Sequence, residues 1–292
     1  LFTLGAILLL TSAVSRIRGR AQGFLAGILL IGTPYFITHG ISQYSDIPLA
    51  FFFLASFAAA ALHDWDQNQS PKYLVLAGVM AGLAAWTKNE GLLFIAAFFL
   101  ARFGVKLRRQ GPRTACRELF LMGAGLLPVL AVVFYVKTQL YAPQTILETR
   151  GIPYNFGNFL DLSRYLRILF VYKKKLIEFG HWPLSLPVLL VFYGLWIGAS
   201  RSRRTKAAGG SMLLTLLFML GGYFVVFLST PHSLGWHLRT SIDRLFLCLW
   251  PSFLLAYFLI VKTPNEAVQA APAGEPEFKT ETEMETRSQA CI

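Results

Sequence analysis

Charged residues are scarce in this sequence. Asp, Glu, Lys and Arg make up 14% of its 292 residues, whereas soluble domains contain about a quarter. Hydrophobic residues account for 55%, and they lie in long blocks without the periodicity of a half-buried strand or a surface helix. A backbone inside hydrocarbon must satisfy its own hydrogen bonds, so each block is predicted to be a helix. The composition therefore excludes an ordinary soluble domain and indicates a membrane protein that crosses the bilayer several times.

Cysteine is also rare, and several common motifs are missing. Cys116, Cys248 and Cys291 have no paired spacing, which argues against a disulfide framework and against a zinc site. The sequence contains no Gly-rich phosphate loop, no nucleophile elbow and no HExxH motif. The absence of a nucleotide-binding domain argues against an ATP-driven pump.

About nine apolar segments are predicted to be transmembrane helices, each near or somewhat below the length that spans a bilayer. They cover residues 1–15, 23–38, 46–62, 73–87, 91–104, 119–136, 183–200, 212–229 and 245–262.

Basic residues account for the net charge of +12, and 11 of the 27 lysines and arginines lie in three short clusters between apolar segments. The clusters are Arg16, Arg18 and Arg20; Lys106, Arg108, Arg109 and Arg113; and Arg201, Arg203, Arg204 and Lys206. Short basic loops stay cytoplasmic, and counting the helices places all three clusters on that side. We therefore predict a multi-pass protein of the cell (cytoplasmic) membrane whose partners include membrane lipids but no nucleic acid.

The predicted fold is all-α and polytopic, in four parts. Residues 1–136 and 183–262 hold transmembrane helices, and 137–182 form an extracytoplasmic loop. Residues 263–292, rich in Pro, Ala, Glu and Thr, are predicted to be a disordered cytoplasmic tail. Within the loop, residues 159–179 gather apolar side chains near one helical face, which predicts an amphipathic helix in the membrane interface. A loop helix that packs on the protein and faces solvent is the alternative.

Ionisable residues at helix ends carry most of the functional information in such a protein. Asp46 follows Tyr44 and begins an apolar segment, so it either caps a helix or presents a carboxylate for acid–base work. Lys88 and Glu90 lie in a polar turn between two apolar segments. They either face water as a hairpin turn or hold a phosphate near the lipid headgroups. All these residues are predicted to be extracytoplasmic.

A third polar stretch, residues 232–244, precedes the last predicted helix and contains two His, two Arg and one Asp. Its residues His237, Arg239 and Arg244 are candidates for binding a phosphate or a sugar diphosphate. The alternative is a belt in which the two arginines and Trp236 reach from the membrane edge toward water.

No metal site and no cofactor are predicted, and the participation of a divalent ion is left open. His232 and His237 lie five residues apart without an obvious third ligand. Residues 63–66, His-Asp-Trp-Asp, resemble a metal cluster but are predicted to be a solvated cytoplasmic turn. The basic run 173–175 is predicted to attract anionic headgroups.

The order of these parts resembles the GT-C glycosyltransferases. An Asp-x-Pro at the outer start of a helix is followed by a cytoplasmic turn and then by Gly-Leu-Ala-Ala-Trp-Thr-Lys-Asn-Glu-Gly. The sequence looks most like the family 39/83 group, which includes protein O-mannosyltransferases and the aminoarabinose transferase of lipid A. The resemblance is carried by residues 44–54 and 77–93, with a weaker similarity at 237–251, where an Arg-rich stretch leads into a helix broken by Pro251.

The resemblance implies a transferase that moves a sugar from a polyprenyl-phosphate donor to a lipid, glycan or protein acceptor outside the cytoplasm, with inversion. It implies a catalytic role for Asp46 and phosphate binding by Lys88, Arg239, Arg244 and His237. Glu90 and Tyr44 would line the site. The family's main catalytic carboxylate lies after its first membrane helix, and no residue here corresponds to it, which predicts an N-terminally truncated and inactive fragment. The alternative function is a transporter or flippase of a lipid-linked or anionic substrate.

Overall fold

The computed structural model describes residues 1–66, 68–140, 156–182, 184–200 and 202–268. In these ranges the chain forms twelve α-helices and no β-strand, which confirms the predicted all-α class. The helices are α1 (Phe2–Arg18), α2 (Arg20–Ile31), α3 (Pro34–Gly40), α4 (Asp46–Trp65), α5 (Lys72–Thr87), α6 (Glu90–Gln110), α7 (Pro112–Tyr135), α8 (Leu162–Ile177), α9 (Leu186–Ile197), α10 (Arg203–Ser229), α11 (Leu234–Ile260) and α12 (Pro264–Val268). A π-helical turn (Val136–Leu140) and a 3₁₀ turn (Phe156–Leu160) lie on either side of the undescribed residues 141–155.

Four helices, α4, α7, α10 and α11, are long and apolar enough to cross a bilayer. A fifth span results if α2 and α3, which meet at 67°, count as one broken helix. Helices α5 and α9 are apolar but shorter. The protein is therefore a polytopic helical membrane protein, as predicted. A helix forms in each of the nine predicted segments, but the count of nine spans is not confirmed.

Helices α4 and α11 form the centre of the bundle. In their most apolar windows both are 72% buried, whereas α7 is 28% buried and turns most of its surface outward. Phe53 and Phe57 of α4 pack against Phe94 of α6, with ring centroids 4.2 and 5.3 Å apart. Burial of such rings stabilises a helix pair by roughly 0.5–1.5 kcal/mol per contact beyond the area term.

The predicted basic clusters meet at one end of the bundle, which we call the basic end. Arg18 at the end of α1 donates to the carbonyl oxygen of Val261 after α11, at 2.8 Å. The end of α4 and the start of α10 lie together there, since Asp64 and Arg204 line one small cavity. Asp46 begins α4 at the opposite end, which we call the Asp46 end.

The predicted tail differs from the structure in its first six residues. Thr263 and Glu266 form a reciprocal cap, with Glu266 accepting from the Thr263 N–H at 3.0 Å and its own N–H donating to the Thr263 hydroxyl at 3.2 Å. Glu266 also pairs with Arg18 at 2.8 Å. This Thr-x-x-Glu capping box begins α12. The remainder of the predicted tail, 269–292, lies outside the described residues.

Helix α11 begins at Leu234, earlier than the predicted last helix at 245–262. Leu234, Leu238 and Ile242 recur one turn apart and are all buried, so this stretch continues the helix as a packed stripe. The expected break at Pro251 is wrong, because α11 runs through this proline to Ile260.

The predicted amphipathic helix is present as α8, between Leu162 and Ile177. It packs on the bundle through Ile168 and Tyr172. Its outward surface carries a row of large exposed apolar side chains, namely Leu162, Leu166, Leu169, Phe170, Leu176 and Ile177. Such a row suits a helix that lies in the membrane interface, and that placement stays a prediction.

Candidate active site

Asp46 is the buried centre of a cluster at the Asp46 end. It is 1% exposed, and one carboxylate oxygen accepts from Lys88 Nζ at 2.8 Å. The other oxygen accepts from Arg244 Nε at 2.7 Å. The interpretation of Asp46 as a helix cap is wrong, because Ser45 holds the cap position and neither residue makes a side-chain cap bond. Asp46 instead binds two cations that come from distant parts of the chain.

Lys88 reaches Asp46 from a tight connection between α5 and α6. Its backbone is extended, with φ −155°, and its side chain also lies 3.3 Å from Glu90. Gly91 makes the connection possible: a Cβ atom there would collide with the backbone of Ala84. Lys88 and Glu90 therefore form both a hairpin turn and part of the cluster.

The guanidinium group of Arg244, besides its bond to Asp46, packs against an aromatic ring. Its guanidinium carbon lies 4.6 Å from the ring centroid of Tyr44, a cation–π contact. One helical turn further along α11, the Cys248 thiol lies 3.5 Å from the Asp46 carbonyl oxygen. Arg244 is thus fixed against a buried carboxylate rather than reaching from a belt toward water.

The four ionised groups of this cluster balance. Asp46 and Glu90 supply two negative charges, and Lys88 and Arg244 supply two positive ones. Burial alone would lower the pKa of Lys88, but its hydrogen bond to Asp46 and the charge of Glu90 raise that pKa above its ordinary value. We call these four residues with Tyr44 the Asp46 cluster. It is preorganised and neutral, so it offers an incoming anion no surplus charge.

A cavity of about 540 Å³ lies beside the cluster, between α8 and the start of α11. Three cationic side chains line it: Arg167 and Lys175 from α8, and Arg239 from α11. Trp236, Val171 and Leu238 provide apolar walls, and we call this space the Arg239 cavity. A Cβ atom on Gly235 would lie 3.0 Å from the Arg167 guanidinium, so glycine leaves room for that side chain.

One ion pair links the cavity to Asp243, the residue that precedes Arg244 of the Asp46 cluster. Lys175 donates to Asp243 at 2.8 Å, and Asp243 precedes Arg244 on α11. Arg239 and Asp243 are one helical turn apart and share a face, whereas Arg244 lies about 100° further round the helix. Helix α11 therefore presents one face to the cavity and the next to Asp46. Asp46 is in direct contact with Lys88 and Arg244, with which it was predicted to form a site. Arg239, predicted to belong to the same site, lines the adjoining cavity.

His237 lies apart from both groups. Its Nδ1 is 2.9 Å from the Thr230 hydroxyl, and its ring packs at 4.8 Å on Phe227. Sequence reasoning also missed Arg167, and it missed His39, whose ring stacks 6.0 Å from Tyr44. The amphipathic pattern of residues 159–179 contained Arg167, but nothing in that pattern indicated which cation would face inward.

His63 and Asp64 lie within α4 and not in a solvated turn, so that expectation is wrong for these two residues. His63 is 5% exposed, and Asp64 pairs with Arg102 at 2.8 Å and with Lys106 at 2.7 Å. Glu118 pairs with the same two cations, at 2.8 and 2.7 Å. Ligand atoms of His63, Asp64 and Glu118 lie within 4.8 Å of one another and could hold a metal. Arg102 and Lys106 already neutralise both carboxylates, so the cluster needs no ion for charge balance.

Comparison with protein families gives a match to part of the chain. Residues 1–136 match the family model described as dolichyl-phosphate-mannose-protein mannosyltransferase. The match covers a little under half of the 292 residues and includes Asp46, Lys88 and Glu90. It indicates a membrane glycosyltransferase of the GT-C kind for this part of the chain. No curated protein and no solved structure matches the chain.

Proposed function

We propose that the chain acts in a membrane glycosyltransferase that takes a sugar from a polyprenyl-phosphate donor and passes it to a lipid, glycan or protein acceptor. The Asp46 end faces away from the cytoplasm in this proposal, and the membrane is the cell membrane. The family match to residues 1–136 supports the class of enzyme. Neither that match nor the geometry of the described residues supports a transporter or flippase.

The observation that carries the proposal is the Arg239 cavity. Its cations Arg167 and Arg239 form no ion pair within the described ranges, so the cavity has positive charge available for an anion. Its apolar walls suit the lipid next to a phosphate. A cavity of about 540 Å³ lies within the range of small-ligand sites.

The chemistry needs two functions, and the two adjoining groups can supply them. The bond between the anomeric carbon and the phosphate oxygen breaks, and its electron pair leaves with the lipid phosphate. Fixed cations in the Arg239 cavity stabilise that developing charge. The acceptor oxygen bonds to the anomeric carbon from the opposite face, with inversion, and gives its proton to a carboxylate.

The carboxylates of the Asp46 cluster differ in their availability. Both oxygens of Asp46 accept hydrogen bonds from cations, which suits an anchor that orients Lys88 and Arg244. Glu90 is more exposed, with 27% of its side-chain surface open, and among the described residues its ion pair is to Lys88 alone. We therefore assign Glu90 to the acceptor side and Asp46 to positioning, which refines the catalytic role predicted for Asp46.

Donor binding tests the proposal directly. The chain is purified into nanodiscs and titrated with polyprenyl-phosphate mannose, with polyprenyl phosphate and with the uncharged polyprenol. We expect binding that requires the phosphate. Arg167→Gln with Arg239→Gln should weaken it at least about tenfold, because each charge-assisted hydrogen bond contributes about 1.5–3 kcal/mol.

A matched control is available on the same helix. Lys173 and Lys174 of α8 are exposed and lie outside the cavity, so Lys173→Gln with Lys174→Gln removes the same charge without changing the site. Equal loss in both double variants would show general surface attraction and overturn the proposal, as would equal binding of polyprenol. Mannose transfer to added acceptors is a second readout.

A further inference from the structure

A second polar group lies at the basic end, at the far end of α4. Asp46 begins this helix and Asp64 lies near its end, 18 residues (64 − 46) later. At about 1.5 Å per residue the two carboxylates are about 27 Å apart along the helix. That distance is close to the roughly 30 Å thickness of the bilayer hydrocarbon. With the Asp46 end at one membrane interface, the group around Asp64 lies at the other.

A cavity of about 220 Å³ opens beside Asp64, between α6 and the start of α10. Its floor is the buried ion-pair group in which Arg102 and Lys106 bind Asp64 and Glu118. Arg102 is only 3% exposed and is hydrogen-bonded to both carboxylates, so the floor is fixed in position. Two cations and two carboxylates leave it neutral.

Three further arginines line the rim of this space, which we call the Arg203 cavity. They are Arg109 from α6 and Arg203 and Arg204 from α10. They form no ion pair with any residue that the structure describes, so the rim carries three uncompensated positive charges above a neutral floor. The Gln110 amide adds an uncharged donor. Convergent arginines around a cavity suit a phosphate, which accepts several charge-assisted hydrogen bonds at once.

The start of α10 adds to this positive field. Ser202 caps the helix by accepting from the Thr205 N–H at 3.4 Å, and Arg203 is the first helical residue. The partial positive charge of a helix N-terminus favours an anion within the first turn. The dipole and the three arginines therefore act on the same space.

The volume of the Arg203 cavity and its depth in the membrane narrow the choice of ligand. The volume of about 220 Å³ falls below the roughly 300–1,000 Å³ of cavities that enclose drug-sized molecules. It suits a phosphodiester with a small headgroup. Since α10 is a candidate span that begins at Arg203, the cavity lies where lipid phosphates lie. We propose that the Arg203 cavity binds the phosphate of an anionic phospholipid, at the interface opposite the Asp46 cluster.

Binding of a fluorescent phosphatidylglycerol to the full chain in neutral detergent tests the proposal. We expect displacement by unlabelled phosphatidylglycerol but not by phosphatidylcholine. The variant with Arg109→Gln, Arg203→Gln and Arg204→Gln should bind roughly 100-fold more weakly, because each basic residue near anionic lipid contributes about one factor of five. All three side chains are exposed, so the variant keeps the buried floor.

The matched control removes three other exposed arginines close by in sequence, with Arg108→Gln, Arg113→Gln and Arg117→Gln. It should bind phosphatidylglycerol as the unaltered chain does. Equal weakening in the two triple variants would mean diffuse surface attraction and would overturn the proposal. Displacement by millimolar inorganic phosphate as effective as that by the lipid would assign the cavity to free phosphate and would also overturn it. Donor binding in the Arg239 cavity is unaffected by either outcome.

Discussion

Replacing Asp46 by asparagine tests whether this carboxylate holds the cluster together. Asp46 is 1% exposed and binds Lys88 and Arg244, whose side chains are 21% and 34% exposed. An asparagine side chain has nearly the same shape as that of aspartate but no charge, so the substitution leaves two cations facing an amide. Any loss of stability therefore reports the ion pairs rather than a cavity.

The magnitude follows from the burial of the three partners. Removing one partner of a fully buried ion pair costs about 3–5 kcal/mol. Lys88 and Arg244 keep part of their contact with water and recover some hydration when the carboxylate is neutralised. We therefore expect Asp46→Asn to lower the free energy of unfolding by about 2–3 kcal/mol, below the fully buried figure.

Equilibrium unfolding in mixed micelles, followed by tryptophan fluorescence, measures this difference. Glu178→Gln is the control, since Glu178 is 55% exposed and its nearest cation, Lys174, is 4.0 Å away. It should change the free energy of unfolding by less than about 0.5 kcal/mol. The double variant Asp46→Asn with Arg244→Gln should lose less than the sum of the single variants, with a coupling of about 1–3 kcal/mol. Additive losses, or a loss in Asp46→Asn no larger than the control, would refute the reasoning.

Three further substitutions give expected outcomes of different kinds. Gly235→Ala brings a methyl group to 3.0 Å from the guanidinium that faces it, so donor binding should weaken while thermal stability stays within a few degrees. Arg102→Met leaves two buried carboxylates to share the single charge of Lys106 and should lower the free energy of unfolding by about 3–5 kcal/mol, whereas Arg108→Met on the exposed side of the same helix should change it little. The third concerns Glu266: burial raises its pKa, but the hydrogen bonds from Arg18 and from the Thr263 N–H, together with the charges of Arg18 and Lys262, lower that pKa below its ordinary value. A lowered folded-state pKa stabilises the protein above the unfolded-state pKa, so the advantage of the unaltered chain over Glu266→Gln should be full near pH 7, begin to fall near the unfolded-state pKa of about 4.3, and be lost as pH falls through the lower folded-state pKa. Unfolding titrations at several pH values check this, and an advantage that does not decline as pH falls below about 4.3 would contradict it.

The sequence was sufficient for the helices but not for the number of spans. Long apolar blocks predict helix because no other backbone state satisfies its hydrogen bonds in hydrocarbon. The block at 23–38 shows the limit: it folds as α2 and α3 with a 67° bend, since Pro34 starts a new helix and interrupts the old one. Whether such a bent pair crosses a membrane depends on the helices that pack against it, and a hydropathy pattern carries no information about them.

The candidate site was predictable as separate motifs, not as a cluster. Asp46, Lys88 and Arg244 each stood out as an ionisable residue at a segment end. Their ion pairs join residues 42 and 198 positions apart, and no local pattern fixes contacts at that distance. The group around Arg102 had a clear signal that was passed over: an arginine inside a predicted apolar segment requires a buried partner.

Helix α4 is tied at both ends, by Asp46 to Lys88 and Arg244 and by Asp64 to Arg102 and Lys106. A slide of one helical turn, about 5.4 Å, would break ion pairs of 2.7–2.8 Å at both interfaces together. The two sets of ion pairs therefore fix the position of α4 along its axis and the distance between the two polar ends. In a bilayer that is thinner or thicker than the length of α4, the surrounding lipids or the shorter helix α9 must adjust, while the spacing between the two polar ends stays constant.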